Sequence, residues 1–186
     1  FDNPTVALGG FSGLCYDPLT STPGQWSFWA VPDRGPNEST VSAADAGSAT
    51  NLRPFKLPDY QSRLVKLNYI VALDQFFPDA QQIFLRQADG TPISGRGNIP
   101  GFDETPVTRT DASVYPNVDF SVGGVDYHAL DFDAFGGDFE GVIRTPDFHF
   151  WLCDEYRPAI YHFDANGTLL ERLVPEGTSL LGTTPQ

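Results

Sequence analysis

Methionine is absent from the 186 residues, and the first residue is Phe1. That start reads as a processed mature chain whose signal segment has been removed. No apolar run is long enough to span a bilayer as a helix. Cysteine is scarce, with only Cys15 and Cys153, so no disulfide framework can hold the fold. The two thiols either form one bridge or stay free, and their place inside apolar strand-like runs favours two buried thiols. Basic residues are few: 11 Lys and Arg face 24 Asp and Glu, a formal charge of -13. So acidic a chain repels phosphate backbones and anionic lipid, which excludes nucleic acid and membrane surfaces as expected partners. The surplus carboxylates serve solubility, and where several converge they suit a hard divalent cation. Helical periodicity is nearly missing too. A phosphate-binding Gly-rich loop, a Cys/His zinc pattern and a dinucleotide fingerprint are all lacking.

What is present is strand-forming sequence. The chain is long enough to bury a sizeable core as one domain. Fifteen Phe, eighteen Gly and sixteen Pro point to short aromatic strands joined by turns. Gly13–Tyr16 and Trp26–Val31 read as one strand pair, Arg63–Tyr69 as a strand with one wet face, and Gln82–Arg86 as another. Near the end, Phe148–Cys153, Ala159–Phe163 and Thr168–Val174 read as three consecutive antiparallel strands. Asn166-Gly167 makes the last turn, the Asn-Gly pair supplying the positive φ of a tight hairpin. Residues 35–58 and 89–116 carry no apolar period and read as long loops. Asn37-Glu38-Ser39 and Asn166-Gly167-Thr168 match the glycosylation pattern, a weak signal.

An internal repeat organises these strands. Phe11-Ser12-Gly13-Leu14-Cys15-Tyr16 precedes Phe28-Trp29-Ala30-Val31-Pro32-Asp33. Phe139-Glu140-Gly141-Val142-Ile143-Arg144 precedes Phe150-Trp151-Leu152-Cys153-Asp154-Glu155 in the same order. A radial array of four-stranded blades is the expected host, a β-sandwich with two similar hairpins the alternative.

The strand pattern places Asp138 and Glu140 before one strand and Asp154 and Glu155 after its antiparallel neighbour, at one end of the hairpin. Asp33 occupies the position matching Glu155 in the other copy. Carboxylates gathered this way cannot all stay ionised without a cation, and calcium suits an all-oxygen set. Arg34 and Arg157 follow these acids and could take a phosphate or carboxylate group by paired hydrogen bonds. They could equally neutralise the acids beside them. Ser12 matches Glu140 but lacks the Gly-x-Ser-x-Gly elbow of hydrolases. His149 and His162 lie within strands as structural histidines. His128, ahead of Asp131, Asp133 and Asp138, is the histidine to test as a general base.

Gly9–Leu14, Trp29–Gly35, Gly137–Val142, Phe150–Tyr156 and Ile160–Gly167 together resemble the esterase-like family of phytase-related β-propellers. The resemblance implies an all-β propeller, with residues 1–186 as a partial domain supplying roughly half of the blades. It also implies a second chain, the C-terminal remainder, completing the ring. The resemblance implies export and a phosphoesterase or esterase activity; joined to the acidic cluster, it gives the expectation of a secreted or periplasmic, metal-dependent hydrolase of phosphate esters or related esters. The alternative is a non-catalytic, calcium-stabilised propeller binding a ligand or protein.

Overall fold

A computed structural model describes residues 9–156 and 158–176. In chain order the strands are β1 (Phe11–Thr22), β2 (Gln25–Pro32), β3 (Leu52–Pro54) and β4 (Arg63–Ile70). There follow β5 (Gln75–Phe84), β6 (Thr105–Arg109), β7 (Phe120–Val122) and β8 (Val125–Ala129). The last four are β9 (Phe139–Arg144), β10 (Phe150–Asp154), β11 (Ala159–Phe163) and β12 (Leu169–Leu173). They form three four-stranded sheets, ordered β1-β2-β4-β5, β12-β11-β10-β9 and β3-β6-β8-β7. Among the described residues the only α-helix is the four-residue Ala43–Ala46, capped by Ser42. The protein is therefore all-β.

The repeat is real down to its hydrogen-bond register. Leu14 pairs with Ala30 and Cys15 with Trp29, while Val142 pairs with Leu152 and Ile143 with Trp151. Both copies then slip by one residue at the same point. Phe11 faces Pro32 while Gly13 faces Val31, and Phe139 faces Asp154 while Gly141 faces Cys153. Ser12 and Glu140 are the extra residues, each on a β-bulge.

Although the copies match in register, they bury opposite faces. In the first sheet Trp29, Val31 and Leu64 point inward, whereas in the second it is Phe150, Leu152 and Tyr161. Trp29 and Phe150 meet edge to face at 5.2 Å between centroids. Their counterparts lie on the outer faces: Phe28 is half-buried, and Trp151 stacks on His162 at 4.0 Å. The sheets thus stack face to back. The repeat's glycine explains how closely they approach: a Cβ on Gly13 would lie 2.9 Å from the Gly141 Cα and 2.8 Å from Val31 Cγ1.

Three sequence expectations need correcting. Cys15 and Cys153 are unbridged but not both buried, since Cys15 is half-buried and Cys153 exposed. Residues 35–58 and 89–116 are not structureless. They supply β3 and β6, which pair in parallel and build the third sheet over a small core of Leu52, Val107 and Tyr127. Such strands, three and five residues long and each holding a proline, are too short to show a period of two. Lastly, the β11–β12 turn has positive φ at Gly167 but not at Asn166. Its shape comes from Asp164, whose Oδ1 accepts from the Asn166 and Thr168 amides at 2.9 and 2.8 Å.

Candidate metal-binding acidic site

The site grows out of the bulge. A residue inserted into one strand of an antiparallel pair is left out of the ladder and re-aims its side chain. At Glu140 this directs a carboxylate toward the end of the β9–β10 hairpin. The hairpin end is closed by the Glu155 amide donating to the Asp138 carbonyl at 2.9 Å. Asp138, Glu140 and Glu155 consequently each bring a ligand oxygen within 4.8 Å of the others. The bulge residue of the other copy joins them, Ser12 hydrogen-bonding the Glu140 carboxylate.

Asp138 is the buried member, 1% exposed. One oxygen forms an ion pair with Arg34; Oδ1 has no hydrogen-bond partner among the described residues. Three carboxylates against one guanidinium leave negative charge in surplus. Glu140 registers it. Desolvation, then repulsion from Glu155, pushes its carboxyl above the ordinary 4.5, with Asp33 adding to the rise and Ser12 and Arg34 opposing it. An all-oxygen, charge-surplus set with an orphaned buried oxygen fits a hard divalent cation.

Arg34 is fixed from several sides. Its backbone amide donates to Asp33 Oδ1 at 2.6 Å, and Nη1 lies 3.4 Å from Glu104 Oε2. The guanidinium sits 4.8 Å above the Tyr156 ring. Burial pushes the Tyr156 hydroxyl up to about 12, so it stays protonated and donates to the Gly95 carbonyl at 3.0 Å. No side chain fits at Gly95, where a Cβ would lie 1.9 Å from the Arg34 carbonyl oxygen. Glu104 also clamps Arg53 at 2.6 and 3.0 Å.

The other expected site residues fall into distinct places. Asp33 borders the cluster and acts on Glu140 through its charge. Asp154 is turned inward: Oδ1 accepts from the Asp138 and Tyr156 amides at 2.9 and 3.1 Å, and Oδ2 lies 3.5 Å from buried Arg172. It shapes the hairpin end rather than joining the cluster. His128 lies on β8 in the third sheet, 2.9 Å from Asp119 and packed on Tyr115, away from these contacts. Arg157 lies outside the described residues. Glu104, Arg53 and Tyr156 were not singled out from the sequence. Glu104 sits in an aperiodic stretch without any local signal, while Tyr156 directly follows the acidic pair. Two cavities of about 500 Å³ open elsewhere, one near Phe55 and Arg109, the other near Tyr60 and Arg96. Neither is lined by the acidic cluster.

An uncharacterized secreted protein of Arthroderma benhamiae is 30% identical over 154 residues, which cover 79% of this chain. That match covers 27% of the relative, so the chain spans about a quarter of its length. No solved structure matches. The family model described as "Phytase-like: Esterase-like activity of phytase" matches residues 6–183, and the chain belongs to that family.

Proposed function

We propose that the protein is a secreted, calcium-dependent hydrolase of phosphate esters or related esters, built on a β-propeller in which the β1-β2-β4-β5 and β12-β11-β10-β9 sheets are blades. The observation that carries the reading is the convergence of Asp138, Glu140 and Glu155, with one buried oxygen left unpaired. Asp138, Glu140 and Glu155 would hold the divalent cation, which would supply Lewis-acid chemistry there, lowering the pKa of a water and offsetting charge on the ester oxygen. Glu155, exposed at the rim, is placed to accept a proton from a water. Glu140, its carboxyl raised by desolvation and by Glu155, is the member that a bound cation would ionise, so its part is that of a ligand. Arg34 has part of its fork committed to Asp138 and Glu104, so it orients the carboxylates first and a substrate anion second. The catalytic part of the reading rests on the carboxylates, since His128 stands apart from them.

Hydrolysis of p-nitrophenyl phosphate and p-nitrophenyl acetate tests this. Glu155→Gln is expected to lower turnover by about 10²–10⁴-fold, the usual worth of a positioned acid or base. Unchanged turnover on both substrates would remove Glu155 from catalysis.

Calcium binding is tested separately by thermal unfolding. A saturating ion at about 100 times its dissociation constant adds about 2.7 kcal/mol to stability. The raised Glu140 carboxyl sets the sign of the pH dependence. The folded state holds a proton there that the unfolded state releases, so charging Glu140 destabilises the fold as pH rises past 4.5, and a cation relieves that cost. The calcium-induced rise in melting temperature should therefore be large at pH 7 and fade toward pH 4. A shift independent of pH would place the ion elsewhere.

A second reading is favoured by one observation. The Arg34–Asp138 pair already ties the end of β2 to the start of β9. An ion beside it would pin the two sheets together, and the face would serve binding without catalysis. Calcium-dependent stability with no turnover on either ester would select this reading.

A further inference from the structure

The β9–β10 hairpin has two chemically different ends. Asp138, Glu140 and Glu155 gather at the open end, while the turn at the other end carries Asp147 and His149. His149 and Trp151 are two positions apart and so fall on the same side of β10. Across the ladder Trp151 faces His162 on β11, and His162 faces Glu171 on β12. One row of side chains therefore crosses three strands on the outer face of the sheet, with His149 diagonal to His162. Trp151 lies flat on the His162 ring, 4.0 Å between centroids and 7° between planes, which fixes the tilt of that ring.

The two imidazoles meet through their nitrogens. His149 Nδ1 lies 2.9 Å from His162 Nε2, and the other nitrogen of His162, Nδ1, lies 3.0 Å from Glu171 Oε1. An ionised carboxylate only accepts, so His162 donates its Nδ1–H to Glu171. Neutral His162 then carries its lone pair on Nε2, aimed at His149. A carboxylate behind the ring that fixes which nitrogen is free is the usual setting of a metal-ligating histidine. A third donor stands close by. Asp147 Oδ2 is 3.7 Å from His149 Nδ1, and the other Asp147 oxygen accepts from the Thr145 hydroxyl. That hydrogen bond leads the effects holding the Asp147 carboxyl below the ordinary 3.8, so the group is anionic at neutral pH. The Asp147 side chain is 68% exposed, which leaves the site open to solvent.

We propose that His149 Nδ1, His162 Nε2 and Asp147 Oδ2 bind a divalent transition ion of the zinc and copper class, with Glu171 orienting His162 from behind. Zinc binds imidazole nitrogen at about 2.0–2.1 Å, which sets two such nitrogens about 3.3 Å apart on a tetrahedral ion. The 2.9 Å between the rings falls only a few tenths of an ångström short of that. His149 precedes β10 in a turn, so its side chain is free to rotate by this amount. In the bound form neutral His149 carries its proton on Nε2 and turns the Nδ1 lone pair to the ion. Asp147 and Glu171 balance the two positive charges. Imidazole favours zinc, copper and nickel, whereas calcium takes oxygen, so the two ends of one hairpin select different ions. An ion at the turn would tie it to β11. The proposal rests on neither calcium nor ester chemistry.

The test uses the natural full-length protein, stripped by chelator and titrated with Zn2+ by calorimetry in excess calcium. His149→Ala is expected to remove one Zn2+ from the stoichiometry. Glu171→Gln, which keeps the shape and loses the orienting charge, should weaken that ion by about 10–100-fold. Glu155→Gln should leave zinc binding as it is. Electron paramagnetic resonance of Cu2+ bound in place of zinc needs no substitution, and two coordinated imidazole nitrogens are expected. No zinc binding, an all-oxygen copper spectrum, or a stoichiometry unchanged in His149→Ala would each overturn the proposal. Loss of the zinc in Glu155→Gln would also overturn it, by placing the ion in the acidic cluster.

Discussion

Arg144→Ala will cost about 3–5 kcal/mol of stability, the typical loss when one partner of a buried ion pair is removed. Arg144 ends β9 and reaches across to Asp17 on β1, so one ion pair latches the two sheets together. Asp17 is fully buried and also accepts from Trp29 Nε1 at 3.1 Å, Thr20 Oγ1 at 2.7 Å and the Leu19 amide at 3.1 Å. Burial alone would push its carboxyl up. The Thr20 hydroxyl, Arg144, Trp29 and the Leu19 amide outweigh that and hold it below the ordinary 3.8. The guanidinium packs on the rings of Phe148, Trp29 and Phe150 at 4.8, 5.5 and 5.5 Å. Alanine therefore removes stacking as well as charge, and leaves Asp17 buried without its cation. The pH dependence separates the two losses. In the parent, the stabilisation from Asp17 is present above 3.8 and lost as pH falls through its lowered value. In the variant Asp17 is easier to protonate, so the deficit should shrink as pH falls toward 4. Urea unfolding across pH measures this, and a deficit below about 1 kcal/mol at neutral pH would contradict a buried latch.

Arg34→Ala should be comparably severe, again about 3–5 kcal/mol, but only in chelator. Asp138 is 1% exposed and Arg34 is its cationic partner among the described residues. Without Arg34, three carboxylates converge with nothing opposite them. If a divalent cation occupies the cluster, calcium restores part of the loss. The expected result is a larger deficit in EDTA than in calcium, read by thermal or urea unfolding. An equal deficit in both would show that Arg34 acts on the fold alone and that no ion joins Asp138.

Much of this architecture was readable because a repeat writes its constraints twice. Phe-x-Gly followed by Phe-Trp marks both hairpins, and the acids fall at the same end because antiparallel pairing puts them there. The bulge was not readable. Ser12 and Glu140 look like ordinary strand residues, and only the register shows that each is the extra one. Nor could strand alternation separate Asp154 from Glu155. Neighbours on a strand point to opposite sides, but which side is the core depends on the sheet stacked against it. The same ambiguity hid the exchange of faces between Trp29 and Trp151, identical residues in identical register with opposite surroundings. Arg144 and Asp17 lie 127 positions apart with no local signal to join them.

The acidic cluster therefore came from two levels. Residue order alone determined the all-β class, the repeated hairpin and the placing of Asp138, Glu140, Asp154 and Glu155 at one hairpin end, since these follow from local pairing. Tertiary packing decided which carboxylates meet, which one turns inward to Arg172, and that His128 lies in another sheet. The reason is physical: local hydrogen bonding sets register, but only the stacking of one sheet on another sets which face, and hence which charge, is buried.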